Sequence, residues 1–143
     1  MRPRNSSLFV VLSGALLISC ATTLVPKISQ IVPSGACDLL PTRDFTILGS
    51  DFLNGSALPQ VTFTKVDDPN VKAVATATSL TGCTDQSCTS LSVSVPKDQL
   101  PLGQYTVSIM NSCNGDCISR ETGAPALMDV EAAPTRSGVT PRR

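Results

Sequence analysis

Beyond residue 20, wherever apolar side chains recur with a period in this chain, the period is two. Leu91-Ser92-Val93-Ser94-Val95 is the cleanest case, and Pro96 closes it. Strict alternation marks a strand with one buried face, because successive side chains point to opposite sides of the pleat. The same pattern puts Val61, Phe63 and Lys65 on one face of residues 60–66, and Tyr105, Val107 and Ile109 on one face of residues 103–109. Residues 27–32, stopped by Pro33-Ser34-Gly35, form a first strand at a sheet edge. Residues 71–78 and 126–130 complete the set. No stretch outside the leader has a helical period.

The remaining strand, residues 44–48, organises the rest. Phe45 and Ile47 alternate with Asp44, Thr46 and Leu48, so apolar side chains fall on both faces. A strand of that kind calls for a layer on each side. Gly49-Ser50-Asp51 then reads as a turn that stops the strand, with Phe52 returning towards the core. Seven short strands separated by turn signals predict an all-β fold, a β-sandwich of the immunoglobulin type.

What such a core can contain is limited. Aromatics make up only 3% of the 143 residues, with no Trp and one Tyr, so Val, Ile, Leu and Ala must fill it around a few Phe anchors. There is no His, which removes the commonest general base and metal ligand. No nucleophile–base pair or phosphate-cradling loop can be named, so the chain reads as a non-enzyme without a cofactor. Arg2 and Arg4 lie in the leader, leaving 9 basic and 11 acidic groups beyond it. That balance offers no pull towards nucleic acid.

The leader itself carries a positive start, Arg2 and Arg4, and an apolar run over residues 8–18, too short to span a bilayer. Its end, Leu17-Ile18-Ser19-Cys20, resembles the bacterial lipobox. That resemblance implies removal of residues 1–19, a diacylglycerol on the Cys20 sulfur, and acylation of the new amino group. Several acyl chains anchor stably where one binds marginally. Ala21 in place of Asp lacks the common inner-membrane retention signal, which directs the expectation to the outer membrane of a bacterial envelope. Ordinary cleavage after Ala21 is the alternative.

Residues 20–26 then form a lipidated tether, residues 27–131 the sandwich, and residues 132–143 a polar, Pro-interrupted tail expected to be disordered. Within the sandwich, residues 28–33, Phe45 to Phe52 and Val61-Thr62-Phe63, followed by residues 91–96 and 103–111, resemble an IPT/TIG module. The resemblance runs over residues 26–131 in the right order. It implies an immunoglobulin-like sandwich with a binding or spacer role and no single activity. The cysteines and two long loops, residues 78–89 and 111–125, depart from the plain pattern.

An exported chain is expected to pair its cysteines. With Cys20 acylated, five remain. Counting strands up and down places Cys83, Cys88, Cys113 and Cys117 at one end of the sandwich and Cys37 at the other. The four therefore pair among themselves, either locally or across the two loops, and Cys37 is left over. Zinc requires tighter spacing than C-x4-C and C-x3-C and a reducing compartment. Asp67, Asp68 and Asn70 read as a solvated turn rather than a calcium site, which needs six or more oxygens. The tied loops would present Leu80, Thr84, Asp85, Gln86, Asn114, Asp116 and Arg120 as contact residues. Without an aromatic platform for sugars, the expected partner is another envelope or extracellular protein. A structural spacer in an envelope complex and a secreted glycan-binding module are the alternatives.

Overall fold

The computed structural model describes residues 24–37, 40–112 and 125–132. The leader, Cys20, residues 113–124 and the tail from residue 133 lie outside the described residues. The described chain is all-β. Its strands are β1 (Lys27–Val32), β2 (Gly35–Cys37), β3 (Thr42–Leu53), β4 (Gln60–Lys65), β5 (Lys72–Thr76), β6 (Ser79–Thr81), β7 (Ser87–Pro96), β8 (Gly103–Met110) and β9 (Ala126–Glu131). A single 3-10 turn, Lys97–Gln99, separates β7 from β8.

Two sheets form a sandwich. One has the order β1-β3-β7-β6, the other β2-β9-β8-β4-β5. Every pairing is antiparallel except that of β2 with β9. The alternation read from the sequence supplies the core between them. Phe45 and Ile47 of β3 and Leu91, Val93 and Val95 of β7 are buried from one side. Val61 and Phe63 of β4, Tyr105, Val107 and Ile109 of β8, and Met128 and Val130 of β9 are buried from the other. The Phe45 and Phe63 rings meet across the core at 5.6 Å between centroids, tilted by 40°. Burying each such side chain contributes about 2 kcal/mol, so a few aromatics anchor a core otherwise made of aliphatics.

All seven expected strands are present, and two three-residue strands, β2 and β6, join them. Three residues are too few to display a period. β6 also changes the expected 78–89 loop: Ser79 and Thr81 pair with Ser92 and Ser90, so the segment is a tight hairpin rather than a long loop.

β3 departs from its expectation twice. Gly49-Ser50-Asp51 does not end the strand, because pairing with β7 resumes at Phe52, opposite Cys88. The segment is a bulge: from Leu48 to Phe52 β3 advances four residues while β7 moves only from Ser90 to Cys88. Asp51 takes a left-handed φ of 63°, a conformation that Asp tolerates better than most residues. Gly49 is required for another reason. A Cβ there would lie 1.9 Å from the Lys27 carbonyl oxygen of β1. The bulge also breaks the alternation, which is how Phe52, out of step with Phe45 and Ile47, becomes fully buried. Secondly, the outer face of β3 is not covered: Asp44 is exposed and Thr46 and Leu48 are half-buried.

Candidate functional site

The hairpin between β6 and β7 is closed by its own polar groups. Gly82 has a φ of 63°, and a Cβ on it would lie 2.2 Å from Thr89 Oγ1. That hydroxyl donates to the Gly82 carbonyl at 3.4 Å. One turn further out, Thr84 N–H donates to the Ser87 carbonyl at 2.8 Å, and Thr84 Oγ1 donates to the same oxygen at 3.1 Å. A disulfide, Cys83–Cys88, spans this turn. Because Cys88 is fully buried while Cys83 is exposed, the bridge ties the turn directly to the core. Thr84, Asp85 and Gln86 are left exposed at the tip. Leu80 is different: it is half-buried and packs against the core, so its side chain belongs to the interior edge rather than to the tip.

The tip is also fastened sideways. Asn54 N–H donates to the Gln86 carbonyl at 3.2 Å, joining the hairpin to the end of β3. Beside that junction stands Asn111, one of two buried polar residues among those described, at 2% exposure. Its Oδ1 accepts from Leu53 N–H at 2.9 Å. Its Nδ2 donates to the carbonyls of Asp51 at 2.8 Å and Leu24 at 3.0 Å. A single amide therefore binds the bulge, the end of β3, the end of β8 and the incoming N-terminal segment. A side-chain amide can both donate and accept, and all three bonds are needed to bury it at little cost. Lys27 Nζ lies 3.8 Å from Asp51 Oδ2 at the surface of the same end.

Of the residues expected to form a contact surface, Thr84, Asp85 and Gln86 share this exposed turn. Asn114, Asp116 and Arg120, and the cysteines Cys113 and Cys117, lie outside the described residues. Ser112, the last described residue before them, follows Asn111 at this end. Cys37 closes β2 opposite Glu131, at the other end of the sandwich.

That other end is built around Arg43, 3% exposed. It donates through an NH1 to the Leu100 carbonyl, and more distantly to that of Lys97 at 3.4 Å. Tyr105, fully buried, donates its hydroxyl to the Pro101 carbonyl at 2.7 Å. Burial pushes the Tyr105 phenol above its ordinary pKa; the Arg43 charge opposes that shift and the Asp67 charge adds to it. Two open hollows lie at this end, and Arg43 lines the smaller. One of about 240 Å³ is lined by Pro33, Leu40, Asp44 and Phe45 among others. The second, about 510 Å³, lies over Pro41, Lys97, Pro101 and Leu102. In the nearby turn, Asp67 faces Lys65 at 3.6 Å, and Asp68 Oδ1 accepts from Asn70 N–H at 3.1 Å and Asn70 Nδ2 at 3.2 Å. Both carboxylates are engaged within the turn.

The two buried polar side chains are the functional-site features missed by sequence reasoning. The signal was present. Arg43 lies one alternation step before Phe45, and Asn111 one step after Ile109, so both fall on inward faces.

No family model matches the chain, and no curated protein or solved structure matches it significantly.

Proposed function

We propose that the chain is a lipid-anchored module of a bacterial envelope, with an immunoglobulin-like sandwich that binds another protein and performs no catalysis. Strand order supports the fold assignment. Lettering β1 to β9 as A, A′, B, C, C′, D, E, F and G turns the two sheets into A-B-E-D and A′-G-F-C-C′. These are the immunoglobulin arrangements, with a C′ strand added to the G-F-C sheet. The Tyr105 hydroxyl, bonded four residues upstream at the start of strand F, matches the tyrosine corner of such sandwiches. The narrower IPT/TIG reading rests on the runs quoted from the sequence.

One observation carries the placement of the contact surface, the Asn111 bond to the Leu24 carbonyl. It holds Leu24, the first described residue, at the end of the sandwich that carries the turn of Thr84, Asp85 and Gln86. Leu24 lies four positions after Cys20, a reach of at most about 14 Å when extended. With acyl chains on Cys20, the turn of Thr84, Asp85 and Gln86 stands at the membrane-facing end. The partner class that fits is a protein held at the same membrane. Glycan binding is disfavoured because Phe45, Phe52, Phe63 and Tyr105, the only aromatic residues beyond the leader, are all buried.

The reading is tested in intact cells by a photo-crosslinking residue at Gln86. A membrane protein captured there, and lost when Cys20→Ala releases the chain from the membrane fraction, supports it. Unchanged acyl labelling and membrane association of Cys20→Ala would overturn the anchor. A neighbour of constant stoichiometry identifies a spacer subunit; one that exchanges identifies a binding module.

A further inference from the structure

Asparagine followed by glycine carries a latent reaction. The backbone nitrogen of the following residue can attack the asparagine Cγ, forming a five-membered succinimide. The Cγ–Nδ2 bond breaks, and the displaced nitrogen leaves as ammonia with the proton from the attacking amide. Water then opens the ring at either carbonyl, giving aspartate or isoaspartate. No enzyme or oxidant is needed. The folded state allows this only where the side chain is unrestrained, the following N–H is not held, and no bulky neighbour blocks the approach.

We propose that Asn54 is such a site, and that the fold leaves it as reactive as an unfolded peptide would be. Asn54, Gly55 and Ser56 are all exposed in the bend between β3 and β4. The bond that fixes this bend uses the Asn54 backbone N–H, donated to Gln86, and not its side chain. Among the described residues no hydrogen bond engages the Asn54 amide or the Gly55 nitrogen. Gly55 gives the attacking backbone its widest conformational range.

Two other asparagines serve as internal controls. The Asn70 amide is bonded to Asp68 Oδ1, and its prospective nucleophile, Val71 N–H, donates to the Asp68 carbonyl at 2.9 Å. Val71 is also β-branched, which crowds the approach. Asn111 is buried and held by three hydrogen bonds. The fold thus separates one open asparagine from two locked ones. Conversion of Asn54 adds a negative charge beside Gln86, at the end that already carries Asp51 and Asp85. The isoaspartate product also lengthens the backbone by one methylene between β3 and β4. This chemistry is independent of whether Cys20 is acylated.

The test is peptide mapping of the native full chain aged in mildly alkaline buffer, beside the same chain aged in denaturant, with Asp and isoAsp peptides resolved. Asn54 is expected to convert in the native protein at a rate within a few-fold of the denatured chain, while Asn70 and Asn111 stay unconverted. The peptide containing Asn114 is quantified separately. Gly55→Ala is the decisive variant, because an added Cβ meets only Leu53 side-chain atoms at 3.7 and 3.8 Å, ordinary contact. Restricting that backbone slows native conversion at Asn54 roughly fivefold or more. Native conversion of Asn54 as slow as that of Asn70, or a rate unchanged by Gly55→Ala, overturns the proposal.

Discussion

Each end of the sandwich is closed by one buried polar side chain, and the two serve different neighbours. At the end where Leu24 enters, the Asn111 amide joins segments far apart in sequence, from Leu24 to Leu53. At the far end, the Arg43 guanidinium supports the single connection between β7 and β8 through Leu100 and Lys97. The Asn111 end is fastened, with the Cys83–Cys88 bridge and the Asn54–Gln86 bond holding an exposed polar turn. The far end keeps two open hollows edged with Leu40, Leu102 and prolines. A polar turn that is already ordered loses little entropy on contact, so fastening favours binding there. Among the described residues, the two ends differ in how much of the chain each plug holds together.

The comparison breaks first at Asn111. Asn111→Ala leaves one N–H and two carbonyls without their bonds and is expected to cost about 3 kcal/mol in denaturant unfolding. Asn111→Asp keeps the shape but, when ionised, turns the donor towards Leu24 and Asp51 into an acceptor. It should therefore destabilise at least as much at neutral pH. Recovery of full stability in Asn111→Asp would mean that the donor bonds contribute nothing.

Arg43→Met retains the apolar stem and removes the charge. A loss of about 2 kcal/mol is expected, smaller than at Asn111 because fewer of the described segments depend on it. The same variant should push the Tyr105 phenol further up, because the Arg43 charge that lowers it is gone.

Tyr105→Phe isolates the far-end hydroxyl and should cost about 1 kcal/mol. It also has a pH signature. The folded Tyr105 pKa lies above the unfolded value of 10.0, so its contribution is fully present below that value. It is lost as pH rises through the folded value, because the unfolded chain releases the proton first. Wild-type stability should fall more steeply than that of Tyr105→Phe above about pH 10. Parallel alkaline profiles would remove Tyr105 from the account. The smallest stability effect belongs to the turn itself. Replacing Thr84, Asp85 and Gln86 one at a time with Ala should change stability by no more than about 0.5 kcal/mol for the Asp85 and Gln86 side chains, and somewhat more for Thr84, whose hydroxyl closes the turn.

Most of the fold was legible because alternation is a direct imprint of a half-buried sheet. Leu91 to Val95 and Tyr105 to Ile109 face inward as the period requires. The bulge in β3 was not legible, because Gly49-Ser50-Asp51 has the composition of a turn. Only the cross-strand pairing of Phe52 with Cys88 distinguishes a bulge from a stop. β2 and β6 were hidden by length. At the candidate site, the exposed tip of Thr84, Asp85 and Gln86 followed from polarity and strand count. Leu80 reads as a loop contact residue because three residues of strand show no period, and tertiary packing turns it inward. Arg43 and Asn111 were not legible because polar residues at the ends of apolar alternations look like exits to solvent. They are instead the residues that close the barrelless ends of a two-sheet core, where strand-end backbone groups need partners.

The most direct test of the proposed lipid-anchored orientation is a depth measurement on the protein extracted from membranes and reconstituted in vesicles carrying a headgroup-level quencher. A small fluorescent amino acid is placed either at Gln86, in the turn between β6 and β7, or at Gln99, exposed at the far end. Orientation by Cys20 through Leu24 and Asn111 predicts strong quenching at position 86 and weak quenching at position 99. Equal quenching at the two positions, or stronger quenching at 99, would contradict it.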